Sequence, residues 1–323
     1  MNRVDSIAKI SFGCYPTPIH ELPNISRAMG DGKRLYLKRE DLCGIGFGGN
    51  KIRKLEYLLG DAISQNCDCI VTGGGSLSNQ PIAAAACANR VGLPAYLILP
   101  KTASAISRRL VEQMGASIII SENEPSNSVA KLIRQTAKVL REQGHNPYII
   151  PPGASSVHGV LGYTDAMKEM YEQVAKMGVS IDHIVCCGGT GNTYAGIVLG
   201  TKLYSPSTTA TVISIGRRFC HKETLCKMAN EAQRLLGTDA LVTEEDMHIF
   251  FSCGKGHGSE TTKGRAAMEK MAALEGIFLD PIYTGKAFAG LLELNETGVF
   301  HSGQVIVFLH TGGMAALLGS IAK

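Results

Sequence analysis

The feature that most restricts what this chain can fold into is a repeated juxtaposition: a short β-branched run, a glycine-rich turn, then a helical stretch. Residues 69–72 run into Gly73-Gly74-Gly75, and residues 183–187 run into Gly188-Gly189-Thr190-Gly191. Residues 305–309, Val-Ile-Val-Phe-Leu, run into His310-Thr311-Gly312-Gly313. Further strand candidates are 35–38, 95–99, 117–120, 147–150 and 211–215. Between them lie amphipathic segments such as Lys51–Ser64, on which Ile52, Leu55, Leu59 and Ile63 share one face. Alternation of this kind predicts an α/β architecture with mostly parallel sheets. Open sheets of that type bind ligands at the carboxyl ends of their strands, so the glycine turns are where chemistry is expected.

Composition narrows the functional classes. Glycine occurs 37 times in 323 residues, above the roughly 7% of an average chain, and without a collagen-like period. The length predicts two domains. Hydrophobic residues at 45% and charged residues at 19% exclude a disordered chain. The net charge of +4 comes from basic residues interleaved with acidic ones, as in Lys38-Arg39-Glu40-Asp41, so no nucleic-acid footprint is present. The 10 cysteines include no CxxC pair. The chain starts without an apolar signal segment, so reduced thiols in a cytoplasmic compartment are expected. Residues 69–89 are uncharged but interrupted by Gly73-Gly74-Gly75, Ser78, Asn79, Gln80 and Pro81, which argues against a membrane span. No metal site is expected.

Four segments carry candidate chemistry. In Gly44-Ile45-Gly46-Phe47-Gly48-Gly49-Asn50-Lys51, Asn50 is placed to cap a helix whose first turn holds Lys51 and Lys54. The positive end of the helix dipole disfavours a cation there and pushes an amine towards its neutral, nucleophilic form, as a Schiff-base lysine requires. The plain alternative is a solvated lysine. In Ser78-Asn79-Gln80-Pro81 the hydroxyl and backbone N–H groups at a helix start suit a carboxylate, or serve as a cap only. Gly189-Thr190-Gly191-Asn192-Thr193 reads as a phosphate cup of N–H groups and the Thr190 and Thr193 hydroxyls. A dinucleotide fingerprint fails because Tyr194 occupies its sixth position, although Arg217-Arg218 keep an NADP oxidoreductase as an alternative; a P-loop is excluded. The fourth pair, Asp280-Pro281-Ile282-Tyr283-Thr284-Gly285-Lys286 and His310-Thr311-Gly312-Gly313, is weak by itself. An amine, an anion cup and a carboxylate cup together suggest a phosphate-bearing aldehyde cofactor.

These residues resemble the D-cysteine desulfhydrase and 1-aminocyclopropane-1-carboxylate deaminase family of pyridoxal-phosphate enzymes, of the tryptophan-synthase-β-like fold. The resemblance runs from Pro16-Thr17-Pro18 to His310-Thr311-Gly312-Gly313 and is most specific at Gly48-Gly49-Asn50-Lys51-Ile52-Arg53-Lys54-Leu55-Glu56. It implies two domains, each an open, mostly parallel twisted sheet flanked by helices. Residues 1–54 plus 164–323 would form the larger, cofactor-binding domain and 55–163 the smaller. It also implies that Lys51 holds pyridoxal 5′-phosphate as a Schiff base. Gly189, Thr190, Gly191 and Thr193 would hold the phosphate, with Asn50, Lys54 and Thr311 nearby, and Ser78, Asn79 and Gln80 the carboxylate of a small amino-acid substrate. Tyr283 and Ser78 are candidate catalytic groups beside Lys51.

The resemblance places the choice of branch at the residue after Tyr283. Deaminases of the family carry Glu there to keep the pyridine nitrogen protonated, whereas Thr284 makes a weaker electron sink, suited to expelling a good β-leaving group. D-cysteine, giving pyruvate, hydrogen sulfide and ammonia, is therefore the expected substrate, with 1-aminocyclopropane-1-carboxylate deamination and a non-catalytic cofactor carrier as alternatives. Where the family has Gly-Tyr-Gly, this chain has Gly256-His257-Gly258. His257 is accordingly a candidate acid or base, or a space-filler. Dimers are usual for such enzymes, so a homodimer is expected.

Overall fold

The computed structural model describes residues 7–122, 126–216, 221–252, 256 and 258–321. Two sheets organise them. The larger is built from β1 (Ile19–Glu21), β2 (Arg34–Lys38), β7 (His183–Gly188), β8 (Thr209–Ser214), β9 (His248–Phe251) and β10 (Val305–Leu309). Its order is β1-β2-β10-β7-β8-β9, and every pairing is parallel except β1 with β2. The smaller comprises β3 (Cys69–Gly73), β4 (Ala95–Pro100), β5 (Ser117–Ser121) and β6 (Pro147–Ile149), in the order β5-β4-β3-β6, all parallel. All eight expected strands are present. The two without a sequence signal, β1 and β9, are short and only partly buried, so neither shows the continuous apolar run of an interior strand.

The central strands are apolar on both faces because helices cover both. On one side of the larger sheet, Ile184, Cys186, Val212 and Val307 pack on α6 (Val157–Lys176), α7 (Asn192–Tyr204) and α8 (Lys222–Leu236). On the other side, Leu35, Val185, Ile213 and Phe308 meet α1 (Pro23–Met29), α9 (Thr262–Glu275) and α10 (Thr284–Glu296). The smaller sheet is covered on one face by α2 (Lys51–Ser64), α3 (Gln80–Arg90) and α4 (Ala105–Gln113). Its other face packs on α5 (Ser126–Glu142) through Val129, Ile133 and Ala137. On α2, Ile52, Leu55 and Leu59 are buried as their spacing predicts, whereas Ile63 in the last turn is exposed.

A division at 54/55 and 163/164 separates the strands of the two sheets but not all the helices. The last helix, α11 (Met314–Ile321), packs on α4 and places Ala315 in the smaller sheet's core. Helices α2 and α6 meet across the same division. Among the described residues no helix is long and apolar enough to cross a membrane.

Candidate active site

The loops leaving the carboxyl ends of β3, β6, β7 and β10 converge on one cleft of about 200 Å³. Its wall comprises Asn50 just before α2 and Lys51 and Lys54 within it; Gly74, Gly75, Ser78 and Asn79 from the turn before α3; and Gly189, Thr190 and Gly191 from the turn into α7, with Thr193 in its first turn. Tyr283, Thr311, Cys187, Val129, Pro152 and Gly153 complete it. The amino ends of α2, α3 and α7 therefore all present N–H groups and positive dipole ends to one space, which favours anions.

Lys51 is half-buried and Lys54 fully buried, and each donates its amine to the same acceptor, the carbonyl of Gly153, at 3.3 Å. No carboxylate among the described residues is ion-paired with either amine. Burial lowers the Lys51 pKa to about 8. Burial, and then the charge of Lys51, hold Lys54 well below the ordinary lysine value. Such a pair asks for an anion. Burial raises the Tyr283 pKa, helped by Asp280, so this phenol keeps its proton.

The loop holding Lys51 is fixed by backbone. Asn50 N–H donates to the Thr311 carbonyl at 3.0 Å, and Gly49 N–H to the Glu40 carbonyl at 2.8 Å. Gly49 and Gly312, at φ +94° and +95°, lie back to back; a Cβ on Gly312 would stand 2.8 Å from the Gly49 Cα, and one on Gly49 2.8 Å from the Thr311 carbonyl oxygen. Only glycine meets both the dihedral and the distance.

Several expected roles differ in detail. Asn50 has helical backbone angles and makes no cap hydrogen bond; its side-chain amide instead donates to the Thr193 hydroxyl at 2.9 Å, tying the lysine turn to the phosphate-cup turn. Ser78 and Asn79 line the cleft, but Gln80 does not. Gln80 is fully buried, and neither its side-chain oxygen nor nitrogen has a hydrogen-bond partner among the described residues. Thr284 is likewise absent from the wall: its hydroxyl donates to Asp280 Oδ2 at 2.7 Å and accepts from the Asp280 N–H at 2.8 Å, closing the turn into α10. His257, Arg217 and Arg218 lie outside the described residues.

Sequence reasoning missed Val129, Pro152 and Gly153 as wall residues. Gly153 follows β6, so the carboxyl-end rule applied to that strand would have found it. Val129 is an apolar position of an amphipathic helix and gives no signal.

Two desolvated amines, the hydroxyls of Thr190 and Thr193 and the N-terminus of a thirteen-residue helix with no side-chain cap form a cup for a doubly charged phosphate beside a nucleophilic amine. That combination fits an enzyme built around a phosphorylated aldehyde. Residues 10–312 match the family described as pyridoxal-phosphate dependent enzyme, and the chain belongs to that family. Within it, the chain is 39% identical over 306 residues to a Pyrococcus abyssi protein that carries the provisional name of a 1-aminocyclopropane-1-carboxylate deaminase, covering 94% of this chain and 91% of that one. It is 31% identical over 309 residues to a D-cysteine desulfhydrase of Salmonella choleraesuis, covering 94% and 93%. A crystal structure of an ACC deaminase homologue superposes with a TM-score of 0.88 at 35% identity, covering 97% of this chain and 94% of that one.

Proposed function

We propose that the protein is a lyase that releases ammonia from a small amino acid by β-elimination, with D-cysteine the substrate and pyruvate and hydrogen sulfide the other products. One observation carries this reading. Among the described residues no carboxylate side chain lines the cleft, and the residue after Tyr283 turns its hydroxyl to Asp280. Nothing described in the wall would hold a proton on a ring nitrogen, and the weaker electron sink that results is adequate for expelling a thiolate. Pyridoxal phosphate, when bound, supplies that sink. Lys51 would hold its aldehyde carbon, and the 189–193 turn, with Lys54, its phosphate.

The chain's own groups do the rest. Ser78, Asn79 and the start of α3 bind the substrate carboxylate and so fix which Cα bond faces Lys51. With its pKa depressed to about 8, about a tenth of the Lys51 amine is neutral at pH 7, far more than for an ordinary lysine, and that neutral form takes the Cα proton. Tyr283 keeps its proton and donates a hydrogen bond to the departing sulfur.

The names of the relatives support a second reading, 1-aminocyclopropane-1-carboxylate deamination, in the same cleft. A direct assay separates the two. Pyruvate and sulfide from D-cysteine support the first reading. Release of 2-oxobutyrate from 1-aminocyclopropane-1-carboxylate, with D-cysteine inert, establishes the second.

A further inference from the structure

Because β3 and β6 are parallel and end at the cleft, their amino ends lie at the opposite edge of the smaller sheet. There Asp68 stands just before Cys69, the first residue of β3, and His145 lies two residues before β6, 77 residues from Asp68. We propose that Asp68, Cys69 and His145 bind a borderline-soft divalent cation, zinc or cobalt rather than magnesium or calcium. The imidazole nitrogen, the thiol sulfur and a carboxylate oxygen all lie within 4.8 Å of one another, and His145 Nδ1 is 3.0 Å from Asp68 Oδ2. Ligands of a tetrahedral zinc ion, at about 2.0–2.3 Å from the metal, stand about 3.3–3.8 Å from each other. Small side-chain shifts therefore convert this cluster into three corners of a tetrahedron.

The cluster is also braced from the side. Asn146 N–H donates to Asp68 Oδ1 at 2.9 Å, and Asp68 N–H donates to the Asn146 carbonyl at 3.1 Å. The Asn146 side-chain amide donates to the carbonyls of Gln65 and Asn66, each at 3.1 Å. One residue thus locks the turn before β3 to the turn before β6 and orients the carboxylate, as supporting groups do around metal ligands. Asp68 and His145 are exposed and Cys69 is buried, so an ion seated among them has protein on one side and water for its fourth position. One nitrogen, one sulfur and one oxygen select zinc or cobalt over the oxygen-seeking cations. Such an ion would clamp β6, a three-residue edge strand, to its neighbour β3.

The test is titration of the cofactor-loaded protein with cobalt, followed by displacement with zinc. One equivalent per chain, with the visible bands of tetrahedral cobalt, is expected. His145→Ala, at an exposed position, should weaken binding by about 10–100-fold, and Cys69→Ser should abolish the tetrahedral spectrum; turnover should be unchanged in His145→Ala. Absence of saturable binding overturns the proposal, as does binding undiminished in His145→Ala, or magnesium competing on equal terms with cobalt.

Discussion

Arg53 and Lys54 are adjacent in the chain, both almost wholly buried at 3% and 1% exposure, and face opposite sides of the first turns of α2. Behind the helix, Arg53 meets Glu40 through Nε at 2.6 Å and Glu169 through Nη2 at 2.8 Å. Glu40 also accepts from the hydroxyls of Thr17 at 2.7 Å and Tyr163 at 3.0 Å. Burial alone opposes the Arg53 charge, but the two carboxylates outweigh it and hold its pKa well above the ordinary value. On the cleft side Lys54 and Lys51 share one carbonyl. The difference is one of completeness: the rear cluster is satisfied by carboxylates within the protein, whereas the front pair shares a single carbonyl. A buried charge with its partners built in is structure; a buried charge without them is a site.

The comparison breaks hardest at Lys51. Lys51→Ala should lower turnover by about 10⁴-fold, the scale of a proton-transferring group, while leaving denaturant stability near that of the parent; equal losses of both would erase the distinction. Behind the helix the pattern should invert. Arg53→Met strands Glu40 and should cost about 3–5 kcal/mol in urea unfolding.

The acid limb of stability follows from Glu40. Burial by itself would raise its pKa, but Arg53, Lys38 and Thr17 bring it from 4.5 to about 2. Its contribution is therefore complete above pH 4.5 and is lost as the pH falls towards 2. Glu40→Gln should remove that limb from pH-dependent unfolding curves.

Lys51 sharpens the contrast from the other direction. The rate at which cofactor-free protein captures pyridoxal phosphate should rise with pH through a midpoint near 8 and then level off. A rate still climbing towards the ordinary lysine value of 10.5 would mean that the amine is not desolvated. The smallest effect is expected at Asn50→Ala. Losing the bond to Thr193 should cost about 1 kcal/mol, seen as several-fold weaker cofactor retention with the unfolding midpoint little changed.

Much of the front face was legible in the sequence because it is local: Gly-Asn-Lys, Ser-Asn and Gly-Thr-Gly each occupy one turn between a strand and a helix. The rear cluster was not. Thr17, Lys38, Glu40, Arg53, Tyr163 and Glu169 come from distant segments, and nothing in Lys38-Arg39-Glu40-Asp41 shows that alternate residues of this charged run are buried. The side chains of Thr284 and Gln80 leave the cleft wall for a related reason. Motif position located the backbone, but the side-chain direction is set by Asp280 in one case and by burial beneath the α3 turn in the other. The strands followed from apolar runs, and only the short margins, β1 and β9, escaped.

The contact of Gly49 with Gly312 has a consequence for the order of events in synthesis. Strand β10, which delivers Gly312, lies between β2 and β7 in the middle of the larger sheet, yet among the described strands it comes last along the chain. Until it has left the ribosome and inserted, the lysine turn lacks the carbonyl that holds Asn50 and the glycine that backs Gly49. Firm cofactor capture should therefore require the chain through residue 312, and a polypeptide cut short before residue 305 is expected to retain pyridoxal phosphate poorly even with Lys51 in place.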